Sequence, residues 1–100
     1  MLTYKKYAKS QAVKLIRKNL VNGGVATTAH FRQRMEQRKV SMQDVIYLLK
    51  TGSIFDEPEL DMKVNQWKYK VEGKTIDGAS LAIVVALEAD KNILITCMRG

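Results

Sequence analysis

The period of the apolar positions changes along the chain. From Tyr4 to Leu20 they recur at Tyr4, Ala8, Ala12, Leu15, Ile16 and Leu20. Steps of three and four residues put them in one stripe, which predicts a helix with a single buried face. Asn22-Gly23-Gly24 ends it, because glycine accepts the left-handed cap conformation. Thr28 is a good N-cap and predicts a second helix running to about Arg38. Ser41-Met42-Gln43-Asp44 has the form of a capping box, with Asp in the place of Glu. The third helix that it opens carries Met42, Val45, Ile46 and Leu49 on one face and stops at Gly52.

Beyond Gly52 the period falls to two. Trp67, Tyr69 and Val71 alternate with Gln66, Lys68, Lys70 and Glu72, the pattern of a strand with one buried face. Leu81 to Leu87 is apolar at every position and is predicted to lie centrally in the sheet, covered on both sides. Ala89-Asp90-Lys91-Asn92 supplies turn chemistry, Ile93 to Met98 forms the last strand, and Ser53-Ile54-Phe55 adds a short edge strand. The expected architecture is a single α+β domain over residues 1–100. Three N-terminal helices precede a three- to four-stranded antiparallel β-meander. It divides into a basic helix (1–24), two further helices (25–52) and the antiparallel sheet (53–100).

Composition narrows the class. Of 100 residues 46% are hydrophobic and 27% charged, the balance of a folded globular chain rather than a disordered one. Cys97 is the single cysteine, so no intramolecular disulfide and no cysteine-based metal site is expected. The longest apolar run, Leu81 to Leu87, is far too short to span a bilayer, and Met-Leu-Thr-Tyr-Lys-Lys opens no signal-peptide stretch. The expectation is a cytoplasmic protein without membrane association, metal or cofactor.

Charge is unevenly placed. Residues 1–39 hold ten Lys and Arg against one acid, Glu36, a net +9; residues 40–100 sum to −2, which returns the overall +7. A basic half of this kind attracts polyanions: RNA, DNA or an acidic protein. Lys5, Lys6, Lys9, Lys14, Arg17 and Lys18 in the first helix, with Arg99 after the last strand, are the candidate nucleic-acid contacts. The alternative is a solvated basic surface that serves solubility. Asp56-Glu57-Pro58-Glu59-Leu60-Asp61 forms an acidic loop without the spacing of a calcium loop.

The second helix holds the candidate chemistry. At ~100° per residue, His30, Arg34, Gln37 and Arg38 share one face within ~100° of arc. Phe31 and Met35 form the apolar stripe beside it. Metal-free cleavage of RNA needs a base for the 2′-hydroxyl, an acid for the leaving oxygen and cations for the charged phosphorane. Histidine titrates near neutrality, and the arginine fork matches phosphate oxygens. His30 is therefore the candidate proton-transfer group, with Arg34 and Arg38 as phosphate holders. A second proton-transfer group would come from Tyr47, Tyr69, Thr96 or a lysine of the sheet. The structural alternative makes His30 an exposed or capping residue and pairs the arginines with Glu57 or Asp61.

The segment from Thr28 to Met98 resembles a bacterial domain family of uncharacterised function. The residues that carry the likeness are His30, Arg34-Met35-Glu36-Gln37-Arg38, Ser41-Met42-Gln43-Asp44-Val45 and Leu49-Lys50-Thr51-Gly52, followed by a three-strand meander. The layout also resembles the BrnT and RelE type ribonuclease toxins, on the strength of Val40-Ser41 and of Arg99 after the final strand. That resemblance implies metal-independent RNA cleavage, usually blocked by an acidic antitoxin partner. The sequence ends at Gly100, so the basic C-terminal segment of RelE-like toxins is not expected in it. The function expected is thus RNA-directed, with endoribonuclease activity as the implied chemistry. A non-enzymatic basic module for nucleic acid or an acidic protein is the alternative, and an open edge on the last strand would favour a homo-oligomer.

Overall fold

The computed structural model describes residues 5–99; Tyr4, the first position of the helical stripe, lies outside them. Helix α1 spans Lys9–Val21, β1 Val25–Thr27, α2 Ala29–Arg38 and α3 Met42–Thr51. Four strands follow: β2 Glu59–Asp61, β3 Gln66–Lys74, β4 Ser80–Leu87 and β5 Asn92–Arg99. The sheet order is β1-β5-β4-β3-β2. Strands β2 to β5 pair antiparallel, whereas β1 lies parallel to β5, with Val25 beside Asn92 and Thr27 beside Leu94.

This corrects the expected meander. The fold is α+β, but the sheet is mixed and has five strands, one of them between the first two helices. Val25-Ala26-Thr27 is too short for alternation to show, and it becomes a strand only because β5 returns beside it. The predicted edge strand is displaced as well. Ser53 makes a single bridge to Glu72, and the strand at that edge is Glu59–Asp61, from within the acidic loop. Nor is β5 an open edge. It is paired by β1 over Asn92–Leu94, and side chains of Thr28 and Arg38 bond carbonyls beyond.

Helices α2 and α3 form where their caps predict, but the buried face of α3 is Val45, Leu48 and Leu49, while Met42 and Ile46 of the expected stripe are exposed. Ser41 Oγ accepts from Asp44 N–H while Asp44 accepts from Ser41 N–H, a closed capping box at the start of α3. Helix α1 begins at Lys9, later than its stripe, and Gln11 accepts from the Ala8 N–H at its start. All three helices pack on one face of the sheet. Ala12 and Ile16 of α1, Phe31 of α2, and Val45, Leu48 and Leu49 of α3 meet Tyr69, Val71, Leu81, Ile83, Val85, Leu87, Leu94 and Cys97. The other face carries Lys68, Lys70 and Glu72 beside Ala82, Val84 and Ala86. Strand β4 is central, as its run of apolar residues predicts, but helices cover only one of its faces. Ala82 and Ala86 are nevertheless buried.

Two close approaches fix where helices meet strands. A side chain on Gly24 would drive into the Asp90 carbonyl oxygen, so only glycine lets the chain pass from α1 to β1 beside the β4–β5 turn. At the other end of the core, Gly73 of β3 sits against Gly52 at the stop of α3: a Cβ on Gly73 would lie 3.2 Å from the Gly52 Cα.

Candidate nucleic-acid interface

Helix α2 is set on the sheet by its first and last turns. Thr28 Oγ1 accepts from Phe31 N–H at 3.0 Å and donates to the Leu94 carbonyl at 3.0 Å, so one hydroxyl both caps the helix and ties it to β5. Phe31 is wholly buried one position past His30, which turns His30 outward. At the far end Arg38 Nε donates to the Cys97 carbonyl at 3.2 Å, and Arg99 Nη2 donates to the Arg38 carbonyl at 2.7 Å. The second bond satisfies a carbonyl that the end of α2 would otherwise leave to solvent.

The one-face prediction for α2 is met in part. Arg34 Nε donates to His30 Nε2 at 3.5 Å and its Nη1 donates to Gln37 Oε1 at 3.2 Å, so His30, Arg34 and Gln37 form one chain along the exposed helix surface. Arg38 leaves that chain and turns to the β5 edge. Arg38 and Arg99 meet at the end of β5 that carries the Cys97 thiol, Arg38 through the Cys97 carbonyl and Arg99 through the Arg38 carbonyl. Burial pushes that thiol up from its ordinary value, and the arginines pull it partly back, Arg38 most. The thiol is buried and stays protonated at neutral pH, so it acts as a small core hydrophobe.

None of these arginines pairs with Glu57 or Asp61. The ion pairs among the described residues join lysines to acids: Lys9 to Glu57 at 3.2 Å, Lys68 to Asp61 at 2.8 Å and Lys70 to Asp56 at 3.5 Å. The carboxylate that acts on Arg99 is Asp44, whose carboxyl is held below the usual range chiefly by the backbone N–H of Ile76 and then by Ser41. Sequence reasoning missed this link, because Ile76 lies 32 positions from Asp44.

The candidates for a second proton-transfer group separate from His30. Tyr69 is wholly buried, and its hydroxyl accepts from Tyr7 N–H at 2.6 Å. Thr96 pairs with Val84 and so lies on the sheet face away from the helices. Tyr47 lies on α3, partly exposed. Three described grooves, of about 470, 260 and 350 Å³, are lined by other residues; His30, Arg34 and Arg38 line none of them. Among the described residues no three His, Cys, Asp or Glu side chains gather as metal ligands, and no helix is long and apolar enough to cross a membrane.

The basic residues of the N-terminal segment take several roles. Lys5 lies 5.3 Å over the Tyr7 ring and Lys6 lies 5.0 Å over the Trp67 ring. Lys9 is paired with Glu57 as above, and Arg17 Nη2 donates to the Gly52 carbonyl at 3.2 Å, capping α3. Lys14 and Lys18 border a groove on α1.

Residues 27–99 match the family model of a domain of unknown function, DUF4258, and the chain belongs to that family. The matched span agrees with the resemblance read from His30, the Arg34–Arg38 block and the Ser41 helix start, and it leaves α1 outside. No curated protein and no solved structure matches the chain, so the likeness to BrnT and RelE type toxins has no support from them.

Proposed function

We propose that this domain is an RNA-directed protein of the toxin class to which its motifs point, holding the RNA backbone on the surface where α2 meets the end of β5. The observation that carries this reading is the pairing of exposed His30 with Arg34 on α2 and of Arg38 with Arg99 at the adjoining end of β5, with no described ion pair spent on these arginines. Phosphate oxygens fit the planar guanidinium fork, and Arg38 and Arg99 are already held in place through backbone carbonyls. Less side-chain entropy is then lost when an anion binds. His30 brings to this surface an imidazole, the side-chain group most often used in general acid–base catalysis. His30 would take the 2′-hydroxyl proton as that oxygen attacks the neighbouring phosphorus, and the arginines would stabilise the phosphorane. The bond to the 5′-oxygen would then break with solvent water at this exposed site protonating the leaving oxygen, which gives a 2′,3′-cyclic phosphate and a 5′-hydroxyl end.

Incubating the protein with RNA in EDTA, beside the His30→Ala variant, tests this. Cleavage by the native protein, lowered at least about 100-fold by the substitution, is expected if His30 transfers the proton. Equal cleavage by both overturns its role.

A second reading keeps the surface and drops the chemistry: the face binds RNA, or an acidic antitoxin-like partner, without cutting. It is favoured by the burial of Tyr69 and by the place of Thr96 on the sheet face away from the helices, which remove two of the candidates for a second proton-transfer group. Tight RNA binding with no cleavage by either protein would select it.

A further inference from the structure

We propose that α1 is a second contact surface, separate from the α2 face, and that it takes single-stranded rather than double-stranded nucleic acid. This rests on the RNA-directed reading and adds to it the class of strand.

Two grooves flank α1. The larger, about 470 Å³, has Tyr7 and Leu15 in its lining, with Lys5, Lys14 and Lys18 around them and Ala89 of the β4–β5 turn at one side. The other, about 350 Å³, runs between α1 and the Gly52–Ile54 segment, with Val13, Ile54, Lys9 and Arg17 in its lining. Lys14 lines both grooves, so its ammonium stands on the ridge between them. No carboxylate lines either one. The nearest described acid contact is Glu57 on Lys9, at the second groove.

Each groove thus pairs apolar side chains with cations, and the two are joined by a cation. A basic patch alone would serve any polyanion. Apolar and aromatic linings between lysines suit a chain that alternates flat apolar units with anionic links, which is the makeup of an unpaired strand. A duplex keeps its bases stacked inside and offers this surface only phosphates. Tyr7 supplies the aromatic part of the lining: its backbone is bonded to the Tyr69 hydroxyl, its ring packs in part against the core, and Lys5 lies over the ring, so a base that stacks there displaces that ammonium toward a phosphate. Both volumes fall in the range of about 300–1,000 Å³ usual for small-ligand sites, large enough to admit a base.

Fluorescence anisotropy of the full chain tests the proposal with a labelled ten-nucleotide RNA, the same label on a blunt duplex of equal length, and polyglutamate as competitor. The single strand should bind at least about tenfold more tightly than the duplex, and polyglutamate should compete poorly. Lys14→Ala should weaken single-strand binding severalfold and reduce the slope of log affinity against log salt by about 0.7, the share of one phosphate contact on a single strand. Gln11→Glu keeps an acceptor for the Ala8 N–H while adding an acid to the larger groove, so it is a variant expected to fold. It should weaken the single strand more than the duplex; Tyr7→Ala should do the same. Equal affinity for strand and duplex, indifference to Lys14→Ala and Gln11→Glu, or full displacement by polyglutamate overturns the α1 proposal. Each of those results leaves the α2 reading standing, because Arg34→Ala reports on that face separately. Failure of both nucleic acids to bind at low salt overturns both.

Discussion

Asp44 shows how one side chain joins a local motif to a distant one. Its carboxylate closes the Ser41 capping box, accepts from the Ile76 N–H at 3.1 Å and lies within the field of Arg99. The hydrogen bonds favour the charged form and lower its pKa from 3.8. A carboxyl with a lowered folded-state pKa contributes stability that is complete above the unfolded value. That contribution fades as pH falls through the lower folded value. Asp44→Asn is therefore expected to lower the urea midpoint near pH 7, with the gap to the native protein closing as the pH is taken to about 2. A gap that persists undiminished in acid would mean that packing, not ionisation, is what the substitution removes. The capping box was legible in Ser41-Met42-Gln43-Asp44, because its partners are three residues apart. The Ile76 bond was not, since it depends on where the β3–β4 turn comes to rest. Arg38 makes the same point for the site. A helical wheel puts it in the stripe of His30 and Arg34, and His30 and Arg34 do stay together. The wheel holds no record of the strand edge alongside, and the unpaired Cys97 carbonyl there draws Arg38 away.

At the scale of elements, long patterns were readable and short ones were not. Helices α2 and α3 and strands β3, β4 and β5 each run eight residues or more and carry a cap, an alternation or an apolar run, and each forms close to where that signal places it. Strands β1 and β2 have three residues apiece and take their identity from a neighbour. What brings β1 to β5 is a polar clamp that reads in the sequence only as turn chemistry. Asn92, expected to end a turn, is the first residue of β5 and is fully buried. Its Nδ2 donates to the Ile16 carbonyl at 2.9 Å, its Oδ1 accepts from Asn19 Nδ2 at 3.1 Å, and Asn19 also donates to the Glu88 carbonyl. The backbone of Gly24 bonds to both asparagines, accepting from Asn92 N–H and donating to the Asn19 carbonyl. Buried amides satisfied in this way are costly to halve, because the remaining partner keeps its desolvation penalty. Asn92→Ala and Asn19→Ala should each cost about 2 kcal/mol in chemical unfolding. The double variant should lose less than the two combined by about 0.5 kcal/mol or more, the mark of groups in direct contact. Strict additivity would mean that the two asparagines act independently.

For the whole molecule, the family boundary and the folding boundary differ. The family match begins at Thr27, yet the core does not. Ala12 and Ile16 of α1 are buried against the sheet, Asn19 holds the clamp, Arg17 caps α3, and the Tyr7 backbone is the partner of the buried Tyr69 hydroxyl. Removing α1 would expose the apolar surface beneath it and leave polar groups of Tyr69 and Asn92 without their protein partners. Loss of the Ile16 side chain alone is worth about 2–3 kcal/mol by burial, and each stranded polar contact adds about 1 kcal/mol or more. The combined loss, about 5 kcal/mol, is of the order of the whole stability of a domain of this size, about 5–15 kcal/mol. A chain beginning at Val25 is therefore expected to lose its cooperative melting transition by near-ultraviolet circular dichroism and to bind hydrophobic dyes at room temperature. If instead it melts cooperatively within a few degrees of the full chain, α1 is an appendage to the core. In that case the basic surface it carries belongs to a separable arm. The expected result makes α1 obligatory, so that the +9 half of the sequence is built into the same cooperative unit as the sheet.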